Sequence, residues 1–113
     1  MGFAANQARV MMLIARKSDL ELDAQMISQK RMYLAQMTSI MLGHQMRWDP
    51  ESAVAKHIEA RINQLQQADK MLEMRLQQIT SQRQAVTQEL EDVKKTVSNN
   101  IRTSFGILNQ GGR

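Results

Sequence analysis

The sequence predicts an all-α fold: a long antiparallel helical hairpin of coiled-coil character that works as an oligomer. Three observations carry this. Apolar residues recur in alternating steps of three and four along both halves of the chain, which is the spacing of one helix face. The only proline among 113 residues stands near the middle, in Asp49-Pro50-Glu51. Aromatic residues make up 4% of a chain that is 42% hydrophobic, so the large rings that anchor a compact core are scarce and a thin helical body fits better. The whole of 1–113 reads as a single hairpin: a helix over about 4–42, a turn over 43–49, a second helix over about 50–104 and a tail over 105–113.

The first helix carries the seam Val10, Leu13, Lys17, Leu20, Ala24, Ile27, Arg31, Leu34, Thr38 and Met41. Further apolar residues fall outside it: Met11, Met12, Ile14, Leu22, Met26, Met32, Met37 and Ile40. Its apolar surface is therefore wider than a two-stranded coiled coil uses, and a helix apolar on more than one side ordinarily has more than one neighbour.

The break that follows has its own chemistry. Gly43 is placed to end the first helix as a left-handed cap. Asp49 offers an N-cap acceptor, Pro50 suits a first helical position and Glu51 puts an acid in the first turn. Trp48, just ahead of the cap, is positioned to fold back on Val54 or a neighbour as a staple-like contact.

The second helix runs along Ile58, Ile62, Leu65, Asp69, Leu72, Leu76, Ile79, Arg83, Val86, Leu90, Val93, Val97 and Ile101. Asp69 and Arg83 are the two polar intrusions, two heptads apart and on one face. They read as partners for charges on the first helix or as residues that fix register. The tail, with Phe105, Ile107 and Leu108, reads as a small apolar hook after the helix ends.

Helix lengths lead toward assembly. At 1.5 Å per residue the first helix spans about 58 Å and the second about 80 Å, which leaves roughly fifteen residues of the second uncovered. Val97, Ile101 and Phe105 lie in that stretch. The surface expected to assemble is Val10, Leu13, Leu20, Ile27, Leu34, Met41, Leu72, Leu76, Leu90, Val97, Ile101, Phe105 and Leu108, because large contiguous apolar surface marks an interface. The flanks of the second helix are rich in Gln rather than in opposed charges, which suits lateral packing of identical subunits.

A small cysteine-free chain, a central Asp49-Pro50 turn and a long C-terminal helix together resemble the helical-hairpin subunits of bacterial type III secretion needles and the paired terminal helices of flagellin-like filaments. The usual turn of the needle subunits has a Pro-x-x-Pro-like pattern, which Asp49-Pro50-Glu51 matches in part. The resemblance implies a structural subunit of a bacterial filament or tube, exported without a cleaved leader to the cell surface or beyond. The rival expectation is a coiled-coil adaptor or secretion chaperone, cytoplasmic, that offers the same faces to another helical protein.

Other functions find little in the residues. No nucleotide loop, glycine-rich fingerprint or nucleophile elbow occurs, so neither an enzyme nor a cofactor is expected. His44 and His57 flank the turn without helical ligand spacing, and no thiolate is available, so no metal is expected. The net charge of +4 is spread among interleaved acids and bases, which reads as a solvated helix surface before a nucleic-acid footprint. The longest apolar run, Val10 to Ala15, is far short of the roughly 20 residues that cross a bilayer.

Overall fold

The computed structural model describes the backbone of residues 2–111 and the side chains of residues 2–106. Two helices account for nearly all of it: α1, Phe3–Gln45, and α2, Ala53–Gly111. No strand occurs among the described residues. The fold is an all-α helical hairpin, built from the strong helix formers Ala, Leu, Met, Gln, Glu, Lys and Arg that dominate both halves. The chain divides into two units. The turn-end unit is Leu22–Thr80, and the open-end unit joins Met1–Glu21 to Ser81–Arg113.

In the turn-end unit Ile27, Ala55, Ile62 and Ile79 are buried, with Leu34, Met41, Ile58, Leu65, Leu72 and Leu76 half-buried beside them. All lie on the three-and-four seams, and burying one large apolar side chain is worth about 1.5–3 kcal/mol. The turn closes on itself. The N–H of Met46 reaches the carbonyl of Leu42, and those of Arg47 and Trp48 make tighter three-residue bonds to His44 and Gln45. The chain leaving α1 is thereby wound into 3₁₀ form, a common way to satisfy orphan carbonyls.

Three expectations for the turn need correction. Gly43 does not cap α1: the helix passes through it to Gln45, and none of the described glycines has a positive φ. The 3₁₀ tightening after it takes the place of a left-handed cap. Asp49 is not the N-cap of α2 and Pro50 is not its first residue. The Asp49 carboxylate accepts the N–H of Glu51 at 3.1 Å, and the Asp49 carbonyl accepts the N–H of Ser52 at 2.9 Å. This makes a separate Asx turn, with Pro50 fixing its φ. Ser52 then caps the helix. Its hydroxyl accepts the N–H of Ala55 at 3.1 Å and donates to the Asp49 carbonyl at 2.6 Å. Glu51 and Lys56 form an exposed ion pair at 3.7 Å in the positions where a hydrophobic staple would sit. Trp48 and Val54 are 50% and 42% exposed, so neither is enclosed by the turn.

In the open-end unit the buried residues are Asn6, Leu13, Leu20, Val86, Leu90 and Val93. The α2 seam steps from Val97 to Asn100, which is half-buried, whereas Ile101 is 49% exposed. A step from Val97 to Ile101 would make two consecutive fours, and the alternation of three and four continues instead. A further correction concerns the tail. Residues 105–111 remain helical, so the hook expected there is part of α2. No proline interrupts the segment, and each residue added to an existing helix gains one hydrogen bond. Thr103 also donates its hydroxyl back to the Asn99 carbonyl at 2.9 Å. Phe105 is 66% exposed, and the side chain of Leu108 lies outside the described residues.

Candidate assembly surface

The residues expected to assemble fall into three groups. Leu13, Leu20, Ile27 and Leu90 are buried within the chain and form its own seam. Val10, Leu34, Met41, Leu72, Leu76 and Val97 are half-buried along the same seams. Ile101 and Phe105 lie on the exposed part of α2, which is longer than α1 by sixteen residues, 59 against 43. Of the expected interface residues with described side chains, only this last pair is classed by its exposure with the solvent-facing surface.

A larger exposed apolar surface lies on the outer face of α1. Within the turn-end unit a stripe runs through Leu22, Met26, Gln29, Tyr33, Gln36 and Ile40, again in alternating steps of four and three. Leu22 is 55% exposed, Met26 50%, Tyr33 60% and Ile40 53%. Each stripe position follows a seam position by two residues. Two residues turn a helix by about 200°, so the stripe repeats the seam's spacing on the opposite side. Gln29 and Gln36 interrupt it, and their amides leave its apolar members in an uneven row.

The matching positions on α2 are His57, Ala60, Gln64, Gln67, Met71, Met74 and Gln78. Only Met71 and Met74 are large and apolar there, and they stand together. On α1 the large side chains are spread from Leu22 to Ile40. The spacing that reveals this stripe was present in the sequence, but Leu22, Met26 and Ile40 read there only as surplus apolar residues beside a seam.

The seam itself has one charged layer in the turn-end unit. Arg31 Nε donates to Asp69 Oδ1 at 2.9 Å and Arg31 Nη2 to Oδ2 at 3.3 Å, a two-point fork, with Glu73 3.9 Å from the same guanidinium. The hydrogen bond from Arg31 holds the Asp69 carboxyl below the usual carboxylate range, partly offset by its desolvation. In the open-end unit Arg9 pairs with Glu89. There Arg83 is exposed and lines a polar groove with Lys17, Glu21 and Glu91. Asp69 thus meets an α1 charge directly, and Arg83 makes no ion pair among the described residues. A second groove, lined by Gln7, Val10, Met11, Lys94 and Val97, is more apolar.

Among the described residues no three His, Cys, Asp or Glu side chains gather as a metal site would require. None of the described helices is long and apolar enough to cross a membrane. No family model matches the chain, and no curated protein or solved structure shows significant similarity to it.

Proposed function

We propose that this chain is a structural subunit that assembles through its helix faces into a filament or tube. The observation that supports this reading best is the second stripe on α1. Leu22, Met26, Tyr33 and Ile40 occupy positions of a seam-like repeat and are half or more exposed. A repeat of that spacing is suited to another helix, because knobs from a neighbour fit the holes it presents. The amides at Gln29 and Gln36 keep the stripe soluble before assembly and would weaken it less than charges in the same places. Growth beyond a closed pair needs a second, different contact, and Ile101 and Phe105 on the exposed end of α2 would supply it.

A coiled-coil adaptor is the second reading. It draws on the methionines of the exposed faces, Met26, Met32, Met71 and Met74 among them, since flexible thioether side chains repack against differing partners. Negative-stain electron microscopy with sedimentation over a concentration series separates the two. Uniform filaments or concentration-dependent growth, lost in Leu22→Asp and Met26→Asp variants that keep their helicity, support the subunit. A monomer or a small fixed oligomer, unchanged by those substitutions, refutes it and favours the adaptor.

A further inference from the structure

We propose that the outer face of α1 in the turn-end unit docks a second copy of this chain, antiparallel, in the register that sets Asp23 against Lys30 of the other copy. This pairing rests on the assembly reading of that face, and charge complementarity chooses both the occupant and its direction.

Asp23 and Lys30 each follow a stripe position, Leu22 and Gln29, by one residue, so both lie on the same edge of the stripe. Both are exposed, and neither has an ion-pair partner among the described residues. Two antiparallel copies meet along this edge. With the twofold axis midway between Met26 and Gln29, Asp23 of each copy meets Lys30 of the other, giving two symmetric pairs.

The neighbouring registers fail on the same two residues. Sliding one copy by a heptad toward the turn sets Lys30 against Lys30, and sliding it by a heptad the other way sets Asp23 against Asp23. A parallel, in-register pair places Gln25 beside Lys30 and Ser18 beside Asp23, so both charges go without partners. Complementary edge charges of this kind set orientation more than strength. One arrangement among these four satisfies both.

The stripe residues accept that arrangement. Leu22 lies across from Tyr33 and Met26 from Gln29, each layer occurring twice about the axis. The outer two layers are formed by large apolar bodies. In the inner two, the aliphatic stem of Gln29 lies along Met26, with its amide free to reach water at the edge. The outer positions of α2 offer only Met71 and Met74 as large apolar side chains, so α1 is the face with reason to pair. A twofold contact is self-complementary and closes on itself.

The test is sedimentation equilibrium of the full chain with four variants: D23K, K30D, the double reversal D23K/K30D, and L22D, each checked for helicity. Each single reversal should weaken association about tenfold, since it replaces two attractive edge pairs by two repulsive ones. The double reversal should recover wild-type affinity, and an equimolar mixture of D23K with K30D should associate better than either alone. If the single reversals associate as wild type while L22D does not, the register is overturned and the face itself stands. If the wild type stays monomeric at every concentration, both the register and the assembly reading fall.

Discussion

Between Leu22 and Thr80 the seam is apolar save for Thr38 and the Arg31–Asp69 layer, and a capped turn closes the end. In the open-end unit the seam holds a buried Asn6, a half-buried Lys17, an exposed Arg83 and a half-buried Asn100. One repeat therefore carries two different interiors. Apolar layers supply most of the burial energy in a structure two helices thick, so stability should concentrate near the turn, and the open end should unfold locally first.

The largest effects follow from that difference. Ile62 is 5% exposed in the turn-end unit, and Ile62→Ala should cost about 3 kcal/mol in a urea titration followed by circular dichroism. Val97, half-buried at the open end, should cost under about 1 kcal/mol when changed to Ala. Equal losses at the two sites would erase the distinction between the ends. Removing the cap is the next step down. Ser52→Ala leaves the Ala55 N–H without its 3.1 Å acceptor and should cost about 1 kcal/mol, while Asp49→Ala, one turn earlier, should cost less.

A finer contrast lies at Asn6. It is 5% exposed on a seam otherwise suited to leucine, and it borders a groove with Arg9, Val93, Thr96 and Asn100. Polar seam residues of this kind reduce stability and fix pairing. Asn6→Leu should therefore raise stability by about 0.5–1 kcal/mol and slow amide exchange in the first turns of α1. No change in exchange there would mean that Asn6 does not limit the open end.

Much of this fold was legible in the residues. The seam of α1 from Val10 to Met41 is buried or half-buried at every position that the spacing predicts, because a period near 3.5 is the direct consequence of two helices packing along their length. The helix ends were harder. Gly43, Asp49 and Ser52 all offer suitable terminal chemistry, and the choice among them depends on which donors and acceptors the turn brings together. Ser52 prevails because its hydroxyl satisfies Ala55 and Asp49 at once. The continuation of α2 past Phe105 was hidden by weak helix formers, Ser98, Asn99, Asn100 and Ser104, whose small individual costs do not stop a helix already formed. The use of each apolar face was the least legible, since periodicity finds apolar faces without saying which one the chain packs within itself. Leu13 and Leu90 turn inward, whereas Leu22 and Met26 face outward.

The smallest expected effect concerns the charged layer that distinguishes the turn-end seam. The hydrogen bond from Arg31 lowers the Asp69 carboxyl, so the folded chain holds this group ionised more firmly than the unfolded chain does. Its contribution is complete at neutral pH, above the unfolded value near 4, and is lost as pH falls through the lower folded value. Both side chains are about a third exposed, at 31% and 38%, which limits the effect through solvent screening. Melting temperatures of the wild type and Asp69→Asn should thus differ by about 1–2 °C at pH 7 and converge in acid, once the lowered folded-state carboxyl is protonated as well. Added salt should narrow the gap at pH 7 as well. A gap that persisted unchanged at low pH would show that Asp69 acts through packing, and the turn-end seam would then owe nothing to its charge.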